Sequence, residues 1–153
     1  MRNLVLAALL AGAAGCGESS GPTPRIPANL VGQWQADAAC APPCTFTLTW
    51  KENPQARLDA INLGMVLRME IEANGRFRFG DVTAMPPAGR VEVHDAQLVV
   101  TDAEGIVDTI DYRFEATALR LDFRREFTVV DFNSDGRADA STALAVLVKR
   151  TAS

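Results

Sequence analysis

The sequence predicts an all-β protein in which an antiparallel meander closes into a barrel. Apolar and polar residues alternate over most of the chain, and turn-forming residues interrupt the alternation at short intervals. Of the 153 residues, 48% are hydrophobic and 22% are charged, which suits one globular domain. We expect closure because a long meander would otherwise expose two unpaired edges.

The alternation begins near Leu30 and continues in short segments. A period of two is typical of strands with one buried and one solvated face. The final segment, residues 143–150, is instead almost continuously apolar. Turns between the segments give about ten strands, so we expect a barrel of about 8–10 strands. The alternating apolar positions are Phe46, Leu48, Trp50, Met65, Leu67, Met69, Ile71, Phe77, Phe79, Val91, Val93, Leu98, Val100, Ile110, Tyr112, Phe114, Leu119, Leu121, Phe123, Phe127 and Val129.

Two segments need separate treatment. Asn74-Gly75 predicts a tight hairpin, because a type I′ turn needs positive φ at both central residues. Residues 53–63 show no period of two, and Leu58 and Ile61 there suit either a short helix or an ordered loop.

The charge of the chain limits its partners. Its formal net charge is −4, and no cluster of basic residues is present to hold phosphates. We therefore expect no nucleic-acid binding and no electrostatic docking on an anionic lipid surface.

Residues 1–16 have the parts of an export signal. Arg2 precedes the apolar run Leu4–Leu10, small residues follow, and Cys16 comes directly after Gly15. This pattern resembles the lipobox of bacterial lipoproteins, although Ala13 stands where that motif prefers Leu. The resemblance implies cleavage before Cys16 and acylation of its sulfur, with palmitate among the acyl chains. The alternative is an ordinary signal peptide followed by an unmodified cysteine.

The domain organisation follows from this signal. Residues 1–15 form the signal peptide, the Gly-, Ser- and Pro-rich residues 16–29 form a lipidated flexible tether, and residues 30–150 form the barrel. Acyl chains on Cys16 anchor the protein in a lipid bilayer. By the same resemblance, Gly17 in place of Asp indicates an outer-membrane position in the bacterial cell envelope, on the periplasmic or the surface face.

Cys40 and Cys44 remain as a pair once Cys16 is acylated. Export to an oxidising compartment permits a disulfide, and the turn-forming residues 41–43 can bring the two side chains face to face. The spacing resembles neither a zinc site nor a redox-active Cys-x-x-Cys motif. We therefore expect a structural disulfide.

Gly32-x-Trp34 opens the first strand, and this pattern at the start of an all-β meander resembles the opening motif of the lipocalins. The resemblance implies that Trp34 packs across a closed end of the barrel. It also implies that Gly32 permits a close approach there, and that Arg150 lies against the indole as a cation. Further similarity to the lipocalin-like domains of bacterial lipoproteins lies in residues 72–79, residues 112–121 and the terminal Lys149-Arg150, within residues 30–150.

Ligand binding is the function that the lipocalin resemblance implies. A barrel of about eight strands can hold one small ligand or can be filled by its own side chains. The first possibility predicts a membrane-anchored binding module for a small apolar or amphipathic molecule. The alternative is a structural or protein-interaction lipoprotein with a filled barrel. The candidate ligand-binding residues are Phe46, Met65, Met69, Phe77, Phe79 and Tyr112.

The segment from Asp131 to Asp139 reads D-x-N-x-D-G-x-x-D and resembles the calcium loops of EF-hands and dockerins. Calcium takes 6–8 oxygen ligands from such loops, and the glycine permits the sharp turn. Thr142 stands where an EF-hand has a bidentate Glu, so we expect a weak, structural calcium ion. The alternative is an empty turn rich in turn formers. The candidate ligands are Asp131, Asn133, Asp135, Arg137 through its carbonyl, and Asp139.

Nothing in the sequence predicts an enzyme. His94 is the only histidine and lies on the polar side of a strand. Neither a Gly-x-Ser-x-Gly nucleophile motif nor a glycine-rich phosphate loop occurs. The paired acids Glu70 and Glu72, and Asp108 and Asp111, are interpreted as outward-facing or loop residues.

Overall fold

The computed structural model describes residues 25–41 and 43–150, which form one antiparallel sheet of eleven strands. The predicted all-β class is confirmed, and these residues contain no helix. The predicted signal peptide and Cys16 lie outside the described residues. The strands are β1 (Gly32–Ala36), β2 (Thr45–Trp50), β3 (Arg57–Asp59), β4 (Leu67–Ile71), β5 (Arg76–Asp81), β6 (Gly89–His94), β7 (Gln97–Thr101), β8 (Val107–Glu115), β9 (Ala118–Phe123), β10 (Phe127–Val130) and β11 (Asp139–Lys149).

Eight of these strands close into a barrel in the order β1-β4-β5-β6-β7-β8-β9-β11. The last strand pairs back onto the first through Trp34↔Lys149 and Gln35↔Val148, which confirms the predicted closure. The other three strands lie outside this ring. β2 and β10 pair with β11, and β3 pairs with β2.

β1 and β2 run along the same edge of β11 as one interrupted strand. β9 occupies the other edge of β11 at Val146 and Val148, so the pairs Thr45↔Val146 and Gln35↔Val148 must share the remaining edge. The chain therefore leaves the sheet after Ala36, forms a loop and returns to the same edge with β2.

The Cys40–Cys44 disulfide closes this loop, and its two Cα atoms are 5.6 Å apart. The predicted pairing of the two cysteines is present. Cys44 is buried and belongs to the hydrophobic core, directly before the first residue of β2. The crosslink therefore fixes the point at which the interrupted strand returns to the sheet.

The core lies inside the barrel, on the faces that the alternation predicts. Every second residue is buried along β4 and β9 and through most of β11. Packing begins earlier than predicted, because Ile26 is only 8% exposed and Leu30 is fully buried. Residues 26–29 therefore belong to the folded domain, and the predicted tether is too long at this end.

The hairpin at Asn74-Gly75 forms with a different turn from the one predicted. Only Gly75 has positive φ, at 83°, and Asn74 does not. The Gly75 N–H donates to the Glu72 carbonyl at 2.9 Å, and the Glu72 N–H donates to the Arg76 carbonyl at 2.9 Å. This is a type I turn followed by a glycine bulge, which needs only one residue in the left-handed region.

Residues 53–63 contain a strand, so the helix considered for this segment is wrong. Leu58 of β3 pairs with Leu48 of β2. The carboxylate of Asp59 accepts the backbone N–H groups of Phe46 and Ile61, both at 3.1 Å. Partners distant in sequence therefore decide the conformation of this segment.

Trp34 is buried inside one end of the barrel. The residue is 2% exposed, and Nε1 donates to the Leu30 carbonyl at 2.9 Å. The cation over the indole is Lys149, with Nζ 5.4 Å from the ring centroid, and not Arg150. Successive strand residues face opposite sides of the sheet, so Lys149 shares the inward face with Leu147 while Arg150 faces outward.

Gly32 makes room for this lysine. Its φ is 131°, and a Cβ there would lie 2.9 Å from Lys149 Cε. The lysine crosses the glycine and donates from Nζ to the Asn29 carbonyl at 3.2 Å. The close approach at Gly32 therefore comes from a side chain and not from backbone.

We predict that Gly32→Ala lowers the free energy of unfolding by about 1–3 kcal/mol, because alanine is strained at this φ and its methyl group displaces Lys149. Gly64→Ala is the matched control: Gly64 also has positive φ, 93°, but a Cβ there meets nothing within 4 Å. Urea unfolding of both variants measures the difference. Equal losses for the two variants would show that the approach of Lys149 has no energetic consequence.

We predict that the double substitution Cys40→Ser/Cys44→Ser lowers the free energy of unfolding by about 2 kcal/mol, because the crosslink restricts a short loop of the unfolded chain. Thermal unfolding with and without reductant measures this. The reduced parent protein should match the double variant. A variant as stable as the oxidised parent would contradict the role assigned to the crosslink.

Candidate functional site

A cavity of about 250 Å³ opens into the barrel at the end opposite Trp34. Its walls come from β5, β8 and the β9–β10 region, and the connections after β5 and β7 form its rim. Most of the wall is apolar. The lining residues include Phe77, Phe79, Pro86, Pro87, Val100, Ile106, Ile110, Phe123 and Phe127, with the charged residues Arg78, Asp102, Glu104, Asp108 and Arg125.

The cavity exists because β5 and β6 are paired only at their beginnings. Their register comprises Arg76↔Arg90 and Phe77↔Gly89. Beyond this point the connection that contains Pro86 takes the place of a paired strand, and Pro86 Cδ lies 2.8 Å from where a Cβ on Gly80 would be. Proline lacks an N–H and cannot continue a ladder of strand hydrogen bonds, so the barrel wall parts here.

An aromatic cluster forms the inner surface of the cavity. The Phe123 ring centroid lies 5.2 Å from that of Phe79 and 5.5 Å from that of Phe127. Phe46 lies behind them, with edge contacts to all three rings at 6.3–6.4 Å. These edge-to-face and tilted contacts fix the rings in place and leave an apolar, polarisable wall for a ligand.

Two charged side chains meet at the mouth of this aromatic wall. Asp108 is on the inward face of β8, two residues before the buried Ile110 and directly opposite the inward Val100. Its interpretation as an outward residue is therefore wrong. Arg125 Nε lies 3.6 Å from its carboxylate, and the guanidinium stands 5.0 Å from the Phe127 ring centroid.

The neighbouring acid on the same strand behaves differently. Asp111 faces outward and receives two hydrogen bonds from Arg124, at 2.7 and 2.8 Å, and one from Gln97 at 3.0 Å. The bond to Arg124 lowers the pKa of the Asp111 carboxyl below its usual range. Asp111 is therefore a satisfied outer-surface acid and is separate from the cavity.

The structure does not bring the predicted ligand-binding residues together at one place. Phe77 and Phe79 line the cavity. Phe46 supports its aromatic wall from behind, and Met69 is fully buried in the core. Met65 packs on the core from the loop before β4. Tyr112 lies towards the Trp34 end, where its hydroxyl donates to the Asp95 carbonyl at 3.2 Å; burial raises its pKa.

Several residues of the cavity carry no sequence signal for binding. Val100, Phe123 and Phe127 are alternating apolar positions, but the alternation does not say which end of the barrel each occupies. Arg125 and the rim residue Ile106 carried no signal, because both lie in turns. For Asp108 the sequence did hold a signal. Asp108 is an even number of residues away from Ile110, Tyr112 and Phe114 on one strand, so all four side chains face the same side of the sheet.

The predicted calcium loop connects β10 to β11, beyond the strand that begins with the cavity residue Phe127. Ser134 and Gly136 have positive φ values of 61° and 85°. The polar side chains of the loop accept hydrogen bonds from backbone N–H groups of the same loop. The Asp131 carboxylate accepts from Asp135 at 3.2 Å and from Gly136 at 2.8 Å, and the Asn133 side chain accepts from Asp135 at 2.9 Å. The Asp135 carboxylate accepts from Arg137 at 2.9 Å, and the Asp139 carboxylate accepts from Phe132 at 2.7 Å.

The donor types of this loop suit a hard cation, since calcium prefers carboxylate and amide oxygens. Within the described residues, however, no three His, Cys, Asp or Glu side chains are grouped so that they could hold a metal ion. Thr142 is exposed on β11 and pairs with Thr49. The arrangement is that of a capped turn, in which the carboxylates bind backbone amides.

A scan of protein-family models finds no match to the chain, and neither the comparison with curated proteins nor that with solved structures finds a significant match. In the part of the chain that the structure describes, no helix is long and apolar enough to cross a membrane. The function has to be inferred from the barrel and its cavity.

Proposed function

We propose that this protein is a lipocalin-like lipoprotein of the bacterial cell envelope that binds a small apolar or amphipathic molecule in its barrel. The observation that carries the proposal is the aromatic cavity at one end of a barrel that Trp34 fills at the other. Burial of an apolar ligand in such a cavity is favourable at about 25 cal/mol per Å² of apolar area removed from water.

The size of the cavity limits the ligand. Pockets for drug-sized molecules usually have volumes of about 300–1,000 Å³, and this one has about 250 Å³. It suits a single ring or a short chain, and a long fatty acyl chain would leave much of its length in water. The phenylalanine walls favour a ligand with an aromatic or otherwise flat body.

The membrane anchor in this proposal rests on the sequence of residues 1–16. Acylation of Cys16 would attach the chain to the bilayer, and the residues between Cys16 and Ile26 would hold the barrel away from the surface. Mass spectrometry and detergent partitioning of a Cys16→Ser variant test the anchor separately from ligand binding.

One observation favours the alternative, a filled barrel with a structural or protein-interaction role. The middle of the barrel is solid, because large aliphatic side chains there are fully buried. They include Met69, Leu98, Leu119, Leu121 and Leu147. The binding proposal therefore concerns only the open end of the barrel.

We predict that the neutral probe 4-phenylbutanol binds the parent protein and that Val100→Phe weakens this binding at least about tenfold by filling the cavity. Val99→Phe is the matched control, because Val99 is the neighbouring strand residue on the outer face. Calorimetric titration measures the affinities, and thermal melts check that both variants fold.

Native mass spectrometry of protein purified from its own membrane should, in addition, show a retained small molecule. Equal weakening by Val99→Phe and Val100→Phe would place the binding outside the cavity. Failure of the parent protein to bind the probe or to retain any small molecule would leave the filled barrel as the better account.

We also propose a weak structural calcium ion in the loop from Asp131 to Asp139. The donor set supports it: three carboxylates and one amide lie within nine residues, and Gly136 provides the sharp turn. A bound cation would offset the repulsion between these carboxylates and would fix the β10–β11 connection. Asp131, Asn133, Asp135 and Asp139 would hold it through side chains, and Arg137 through its carbonyl.

We predict that about 10 mM calcium raises the melting temperature by about 3–5 °C. A dissociation constant of about 1 mM gives about 1.4 kcal/mol of stabilisation at that concentration. Asp135→Ala should abolish the shift, while Glu92→Ala, at an exposed acid on β6, should retain it. An unshifted melt of the parent protein, or an equal shift with magnesium and with Asp135→Ala, would exclude a specific calcium site.

A further inference from the structure

Asp108 is an inward-facing carboxylate in a mostly apolar wall. Its side chain is 17% exposed and lies beside Ile110 on the inner face of β8. A partly buried carboxylate is unfavourable unless a cation or hydrogen-bond donors compensate it. Asp108 accepts one backbone N–H, from Thr109 at 2.8 Å, and its ion pair is the contact with Arg125.

Arg125 is held loosely in this pair. Its contact with Asp108 is a single one of 3.6 Å, whereas the adjacent Arg124 makes two hydrogen bonds to Asp111 below 3 Å. The Arg125 side chain is 55% exposed and extends from the turn between β9 and β10. An ion pair with one solvated partner contributes little to stability, so another cation can displace it.

The remaining charges at the mouth are committed elsewhere. The carboxylate of Asp102 holds its own turn by accepting the N–H groups of Glu104 at 3.0 Å and Ile106 at 2.8 Å. Arg78 is one of the residues around the cavity, but it lies between the inward Phe77 and Phe79 on β5, so its side chain faces the outside of the sheet. Glu104 is exposed in the connection between β7 and β8. Asp108 is therefore the carboxylate on the inner wall that a ligand inside the cavity meets.

We propose, building on the binding function above, that the cavity selects amphipathic amines with a small aromatic or apolar body. The ammonium group takes the place of the Arg125 guanidinium, between the Asp108 carboxylate and the face of the Phe127 ring. The guanidinium already stands 5.0 Å from that ring centroid, which shows that the ring accepts a cation at this position. The apolar body lies against Phe79 and Phe123.

Three probes with one body and different head groups test this selection: 4-phenylbutylamine, 4-phenylbutanol and 4-phenylbutyrate. At pH 7 the amine is cationic and the acid is anionic. We expect the amine to bind at least about tenfold more tightly than the alcohol, because a hydrogen bond between charged groups adds that much. The acid should bind most weakly, and calorimetric titration at low and high salt measures all three.

Two variants assign the selection to its residues. Asp108→Asn should remove the advantage of the amine over the alcohol. Asp111→Asn, which removes the outward carboxylate of the same strand, should leave all three affinities unchanged. Arg125→Gln should increase the affinity for the amine, because the resident cation no longer competes with it.

The possible failures differ from one another. Equal affinities for the three probes in the parent protein would overturn the selection for amines while leaving the binding function intact. If the parent protein binds the acid most tightly and Arg125→Gln loses this binding, Arg125 is the residue that holds the head group, and the proposal is overturned. Binding of none of the probes would overturn the binding function itself. The comparison of head groups needs no substitution, so it remains decisive even where Asp108→Asn does not fold.

Discussion

The simultaneous pairing of both edges of β11 is the constraint on which the barrel depends. One edge pairs with β9 and β10, and the other pairs with β1 and β2. The inward residues Ala143 and Ala145 are small, and Ala145 stands directly between Phe46 of β2 and Leu121 of β9. A larger residue there would compete for the space of the aromatic cluster, so small side chains on the closing strand permit large ones on its neighbours.

The two ends of the barrel differ because different kinds of segment adjoin the strands there. At one end Leu30 and Trp34 are buried, and Lys149 lies over the indole ring and donates to the Asn29 carbonyl. At the other end, a proline-containing connection replaces the pairing of β5 with β6, and the wall parts. The aromatic residues at this end meet edge to face and do not fill the volume. The asymmetry of closed base and open mouth therefore follows from local sequence at a few positions.

The alternation in the sequence predicted the all-β class, the closed barrel and the face that most apolar residues occupy. The prediction is wrong at Val129, because a bulge in β10 leaves Val129 exposed and packs Val130 against the core instead. It could not predict the end of the barrel that each residue reaches, which depends on the stagger between strands. Phe79 and Tyr112 both face inward, yet only Phe79 lines the cavity. Lys149 replaces Arg150 over the indole because a shift of one residue reverses the face. The spacing of two residues between Asp108 and Ile110 indicates that Asp108 faces inward, but its charge suggested an outward position.

The cavity and the loop from Asp131 to Asp139 share β10, which has consequences for any ligand of either. Phe127 lines the cavity at one end of this strand, and its carbonyl accepts the hydroxyl of the fully buried Ser141 at 3.0 Å. At the loop, the Phe132 ring stacks on Trp50 of β2 with an interplanar angle of 2°. An ion bound in the loop would act on β10 directly, because Asp131 follows Val130, the last residue of that strand. If the bound ion changes the affinity of the cavity for its ligand by some factor, thermodynamic linkage requires that the ligand change the affinity of the loop for the ion by the same factor.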